Sequence, residues 1–69
     1  MKQIIEKNYD GSIHYKYYIN HLNQSNGLCI GYYTNGSICW KLNYLNGKRF
    51  SLDYWYDTNA KIEKITYHL

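Results

Sequence analysis

Tyr32-Tyr33-Thr34-Asn35-Gly36-Ser37-Ile38-Cys39-Trp40-Lys41-Leu42-Asn43-Tyr44-Leu45-Asn46-Gly47-Lys48-Arg49 holds two Asn-Gly pairs, each bracketed by aromatic and aliphatic residues. Such pairs are the strongest short-range hairpin signal, because Gly takes a positive φ without a Cβ clash and Asn tolerates one. Related turns recur at Tyr9-Asp10-Gly11-Ser12-Ile13 upstream and at Tyr56-Asp57-Thr58-Asn59-Ala60-Lys61-Ile62 downstream. The chain reads as successive hairpins: all-β, a single twisted antiparallel meander of about five to six strands, residues 1–69 forming one domain.

Period-two alternation places strands near residues 2–8, 12–20, 28–33, 37–44, 48–56 and 61–68. Ile13, Tyr15, Tyr17 and Ile19, for example, alternate with His14, Lys16, Tyr18 and Asn20. No segment carries an apolar period of 3.6, although His21-Leu22-Asn23-Gln24 suits a short helical turn. A three-residue loop Thr34-Asn35-Gly36, with Gly36 left-handed, sets Tyr32 opposite Ile38, Ile30 opposite Trp40 and Leu28 opposite Leu42. The same loop at Leu45-Asn46-Gly47 sets Leu42 against Phe50, Trp40 against Leu52 and Ile38 against Tyr54. A two-residue Asn46-Gly47 turn would oppose Leu42 to Ser51 and Trp40 to Asp53, so the hydrophobic pattern favours the three-residue loop. A four-residue loop at Asp57-Thr58-Asn59-Ala60 then brings Ile65 against Leu52 and Tyr67 against Phe50.

The repeated aromatic-x-N-G-K/S unit, followed by an alternating strand that ends in Tyr, resembles the MORN family, especially the variant repeats of bacterial antitoxin-like proteins. The resemblance covers roughly residues 26 to 69. Ala60 departs from the turn glycine, the spacing slips between 11 and 13 residues, and residues 20 to 27 interrupt the pattern. The resemblance implies MORN-like β-hairpins in a non-enzymatic sheet that binds proteins, with lipid binding proposed for some members.

At 69 residues the chain buries only about 60% of its unfolded surface, so a simple core leaves it marginal. Ten tyrosines and two tryptophans compensate with large amphipathic side chains usable on both faces of a thin sheet. No apolar run approaches the roughly 20 residues of a membrane span, and Met1-Lys2-Gln3-Ile4-Ile5-Glu6 lacks a signal-peptide core. The expected location is cytoplasmic, that of the host cell if the chain is phage-encoded. The net charge of +3 comes from scattered Lys and Arg, which permits nucleic-acid contact without demanding it. Absence of Pro beside abundant Asn, Tyr, Ile and Lys suits AT-rich coding of the kind found in phages and low-GC bacteria.

Chemistry is sparsely provided. In the expected register Cys29 faces Lys41 and Cys39 faces Gly31, so the two sulfurs are diagonal and free thiols are favoured over a disulfide. His14, His21 and His68 share no zinc-like spacing with the cysteines, so neither a metal nor a cofactor is expected. Of five acids, Asp10 and Asp57 are turn residues, and Asp53 suits an ion pair with Arg49 or Lys41 better than catalysis. No glycine opens a helix to cradle phosphate, and Gly31 reads as relief beside a bulky neighbour. The chain is not expected to be an enzyme.

The second face of the expected sheet carries Cys29, Gly31, Tyr33, Cys39, Lys41, Asn43, Arg49, Ser51, Asp53 and Trp55. Such a face is either simply wet or a recognition surface, since exposed Tyr, Trp and Arg dominate interface hot spots. On the second reading Tyr33, Lys41, Arg49, Asp53 and Trp55 contact a partner. Expected partners are a protein target (a toxin, nuclease or CRISPR effector) inhibited by occupancy and a second copy in a homodimer, with single-stranded nucleic acid as the alternative and no membrane. A self-associating structural unit is a third expectation.

Overall fold

The computed structural model describes residues 1–68; Leu69, the last residue of the expected domain, lies outside the described residues. Seven strands form: β1 (Lys2–Lys7), β2 (Ile13–Ile19), β3 (Gly27–Tyr32), β4 (Ile38–Leu45), β5 (Lys48–Arg49), β6 (Ser51–Tyr56) and β7 (Ile62–His68). They make one antiparallel sheet in the order β1-β2-β3-β4-β6-β7, with β5 pairing β4 ahead of β6. The fold is the all-β hairpin meander that the turn residues imply. Its Cα atoms span 34 × 29 × 13 Å, and among the described residues no second layer covers the sheet.

One five-residue turn closes four of the connections. Its first N–H donates to the fifth C=O and its fourth N–H to the first C=O, over 2.7–3.1 Å, in Asn8–Ser12, Asn20–Gln24, Tyr33–Ser37 and Asp57–Lys61. The fourth residue is left-handed each time: Gly11 (φ 90), Asn23 (φ 61), Gly36 (φ 88) and Ala60 (φ 64). Side chains reinforce it. Asp10 Oδ1 and Asn35 Oδ1 each accept from the backbone N–H and hydroxyl of the serine two residues on, at 2.9 and 2.6 Å, the Asx arrangement that favours Asp and Asn in turns.

The Thr34-Asn35-Gly36 loop and the Tyr32–Ile38 pair are as the sequence implies. The segment His21–Gln24 is this same non-helical turn, and it makes β2 and β3 an ordinary hairpin with further contacts at Ile19–Ser25 and from Asn26 N–H to Tyr18 C=O. The expected four-residue loop at Asp57–Ala60 is corrected to the three-residue form, because Ala60 accepts the left-handed position that glycine holds elsewhere.

Registers beyond the turns differ from expectation, and bulges are the cause. Each of the three hairpins β1–β2, β3–β4 and β6–β7 gains one residue just past its turn, so His14, Cys39 and Glu63 are extra residues with no single partner. Gly31 therefore faces Trp40 and Cys29 faces Leu42, where Ile30–Trp40, Leu28–Leu42 and the cysteine pairings Cys29–Lys41 and Cys39–Gly31 were expected. Ile65 faces Tyr54 and Tyr67 faces Leu52, not Leu52 and Phe50. At the other end Asn46 (φ 49) and Gly47 (φ 89) form the two-residue turn that the hydrophobic pattern disfavoured. Its penalty is avoided because the chain bulges again at Phe50-Ser51, where Ser51 has φ 67, moving Trp40 opposite Trp55 and Lys41 opposite Tyr54. The expected pairs Leu42–Phe50, Trp40–Leu52 and Ile38–Tyr54 do not form.

Candidate functional site

Because side chains alternate along a strand, the register sorts residues into two faces. One holds Tyr15 and Tyr17 of β2, Cys29 and Gly31 of β3, Trp40 and Leu42 of β4, Asp53 and Trp55 of β6, and Lys64, Thr66 and His68 of β7. Cys29, Gly31, Leu42 and Asp53, the buried residues, all lie on this core face. Large side chains build a core here without a second layer. Tyr17 stacks on Tyr15 at 5.8 Å between centroids, Tyr15 stands 6.3 Å from Trp40, and the Trp40 indole lies directly over Gly31. The bulky neighbour implied at Gly31 is Trp40, which has room only because Gly31 has no side chain.

Asp53 is fully buried. His68 Nε2 lies 2.7 Å from its Oδ2 and Arg49 Nε 3.4 Å from the same oxygen, while Asp53 Oδ1 and the indole nitrogen of Trp55 are buried with no hydrogen-bond partner. Arg49 and Lys64 stand over the Trp55 ring at 5.9 and 5.5 Å. Lys41, the alternative partner for Asp53, is on the other face. Sequence reasoning missed His68 as the partner; the signal available was period two on β7, which puts His68 on the same face as Thr66, opposite the Asp53 strand. Burial pushes the Cys29 thiol above its usual range, and both cysteines are free.

The opposite, open face carries Ile5, Lys16, Tyr18, Leu28, Ile30, Tyr32, Ile38, Lys41, Asn43, Leu52, Tyr54, Tyr56, Ile65 and Tyr67. Much of it is uncovered: Leu28 is 37% exposed, Ile65 54% and Tyr67 65%. Its lysines lie against tyrosines, Lys16 Nζ 5.7 Å from the Tyr32 ring and Lys41 Nζ 6.0 Å from that of Tyr56. Lys7 and Lys48 share this face. Among the described residues no carboxylate has a ladder position on it: Glu6 and Asp53 face the other way, Asp10 and Asp57 sit in turns, and Glu63 is at a bulge. This face is apolar, tyrosine-rich and positive.

The five residues expected to contact a partner do not gather in one patch. Arg49, Asp53 and Trp55 are together on the core face, engaged with one another and with His68 and Lys64. Lys41 stands on the open face, moved there by the Cys39 bulge. Tyr33 sits at a turn, where its hydroxyl donates to the Tyr56 C=O at 2.6 Å, and its bond with Cys39, then its burial, push the phenol above its ordinary value.

A depression of about 340 Å³ beside the ends of β1 and β2 is lined by Met1, Lys2, Ile19, Asn20, His21 and Asn23, without a carboxylate or thiol. Among the described residues no group of three or more His, Cys, Asp or Glu could hold a metal ion, and no helix is long and apolar enough to cross a membrane. Compared with known family models, curated proteins and solved structures, the chain matches none.

Proposed function

We propose that the chain is a non-enzymatic module that binds a partner protein through the open face and inhibits it by occupancy. The observation that carries this is the division of labour between the faces. All the buried residues lie on one side, and the other leaves a contiguous field of aliphatic and tyrosine side chains in water, which is the mark of an interaction surface. Tyr54 and Lys41, opposite one another near its middle, are the anchors: Tyr supplies contact area at low entropic cost and Lys selects a partner of negative potential. On this reading the resemblance to MORN-like antitoxin repeats points to a toxin, a nuclease or a CRISPR effector as target, the last two in a phage counter-defence setting in the host cytoplasm.

The test is capture of the tagged chain's partner from nuclease-treated host lysate, followed by binding measurements with the purified pair. Tyr54→Ala is expected to weaken binding by about 2 kcal/mol, Lys41→Glu to weaken it in a salt-dependent way, and the turn variant Thr58→Ala to leave it unchanged. Retention of full affinity by both open-face variants would refute the assignment. Single-stranded nucleic acid is the second reading, favoured by the two lysine–tyrosine contacts on the same face, since stacked bases and backbone charge suit such a surface. Recovery of nucleic acid alone, with a steep salt dependence lost in Lys16→Ala and Lys41→Ala, would establish it instead.

A further inference from the structure

The three bulged hairpins are copies of one unit. Their left-handed turn residues, Gly11, Gly36 and Ala60, recur at intervals of 25 and 24 residues. Ile13, Ile38 and Ile62 open the returning strand each time, and His14, Cys39 and Glu63 are the extra residues. Gly27 (φ 98) and Ser51 (φ 67) are the equivalent kinks where one unit meets the next.

The junctions between units repeat as well. Between the first and second units Tyr15 faces Gly31 and Lys16 faces Ile30; between the second and third, Trp40 faces Trp55 and Lys41 faces Tyr54. Trp40, Trp55, Lys41 and Tyr54 occupy in their units the places of Tyr15, Gly31, Lys16 and Ile30, so the two junctions have one register. Among the described residues the sheet ends at β1 on one side and β7 on the other, each with a single neighbour; the two-residue β5, which pairs only β4, lies inside the sheet. Extending the same register by one step places Lys64 opposite Glu6 of a second copy and Ile65 opposite Ile5. The positions one step further, Glu63 and Lys7, correspond to His14 with Tyr32 and Cys39 with Tyr56, which are not ladder pairs at either junction, so the register stops at Lys64 with Glu6.

From this placement we infer that the chain associates with itself head to tail, the outer edge of β7 on one copy pairing antiparallel with the outer edge of β1 on the next. The step joins one pair of opposite charges, Lys64 with Glu6, and adds an apolar pair on the open face, where Ile5 and Ile65 are 46% and 54% exposed. Edges are ordinarily protected by proline, bulges or repelling charge. Here the chain has no proline, the bulge of β7 at Glu63 lies beyond the two pairs, and Lys64 and Glu6 are complementary in register. The contact is heterologous, so copies add in a row or close into a ring. This inference concerns the edges and goes beyond the open-face reading, so either stands if the other fails.

The experiment is sedimentation velocity of the whole chain over a range of concentrations at low salt, with circular dichroism confirming the fold of each variant. The parent chain is expected to form species larger than a monomer that grow with concentration. Glu6→Lys with Lys7→Glu reverses one edge, and Glu63→Lys with Lys64→Glu reverses the other, each at unchanged net charge. Each variant alone is expected to associate about tenfold more weakly or worse, because like charges then lie opposite one another. An equimolar mixture of the two is expected to recover association, since each reversed edge then meets its complement. Parent chain that stays monomeric throughout, weakening by only one of the variants, or a mixture that fails to recover would each overturn the inference.

Discussion

Adding one methyl group at Gly31 tests the account of the core face. A Cβ there would lie 2.7 Å from Trp40 Cδ2 and closer still to Cε2 and Cζ2, so the indole must leave its place over the strand. The backbone at Gly31 is not left-handed, so Gly31→Ala carries no φ penalty and the cost is steric. Alanine in place of glycine in a strand would by itself gain about 0.5–1 kcal/mol, whereas overpacking costs about 1–3 kcal/mol. Because the clash involves a whole ring whose neighbour Tyr15 is 6.3 Å away, the overpacking cost is expected near the top of its range, about 3 kcal/mol, for a net of about 2 kcal/mol after the gain from alanine. A domain of this size has roughly 3–10 kcal/mol in total. Urea denaturation followed by Trp fluorescence should show a midpoint lowered by roughly 1–2 M. Trp40→Leu is destabilising on its own, but adding Gly31→Ala to it should cost little, giving a coupling of at least about 1 kcal/mol. A neutral or stabilising Gly31→Ala, or a cycle additive within about 0.5 kcal/mol, would refute the packing of Trp40 over Gly31.

Ala60→Gly should stabilise the chain by about 0.5–1 kcal/mol, since Ala60 holds a left-handed φ of 64 that Gly11 and Gly36 take without a Cβ; thermal denaturation reads it. His68→Ala removes the 2.7 Å contact to the buried Asp53 carboxylate and should cost about 1–3 kcal/mol, with hydrogen-exchange protection of β7 falling most. The Asp10 carboxyl is held below its ordinary value by the bonds from the Ser12 hydroxyl and backbone N–H. A depressed folded-state pKa gives stability that is complete above the unfolded value and is lost as pH falls through the folded one. Asp10→Asn, which copies Asn35 of the next unit, should therefore keep the turn and remove that part of the acid sensitivity, as NMR-monitored pH titration of the two proteins would show.

The turns were legible because their chemistry is local: Asp10-Gly11, Asn35-Gly36 and Asn46-Gly47 state their φ requirements in the residue types themselves. Strand boundaries followed to within a residue or two. Register was not legible, because a bulge adds a residue without demanding a type, and His14, Cys39 and Glu63 have nothing in common. One such residue reversed the sides of Trp40 and Leu42, and with them the location of the core. Lys41 changed faces for the same reason, whereas Arg49, Asp53 and Trp55 kept one another's company but turned inward. Gly31 held the missing information: a strand residue without a side chain, between bulky neighbours, marks the place where the largest ring lies.

Every pairing in the meander joins strands that are neighbours in sequence, apart from the short β5 interruption. Folding then needs no long loop closure, so each hairpin can form as soon as its own residues are available, and contact order stays low for an all-β chain. Loss of structure should likewise begin at the margins and move inward, as in other nearest-neighbour arrays. The two margins are unequal, because a 2.7 Å bond between Asp53 and His68 fastens β7 to β6, while the side-chain hydrogen bond between β1 and β2 is an exposed 3.3 Å one from Gln3 to Tyr18. The first hairpin is therefore expected to open before the last, which hydrogen exchange would show as lower protection in β1 than in β7.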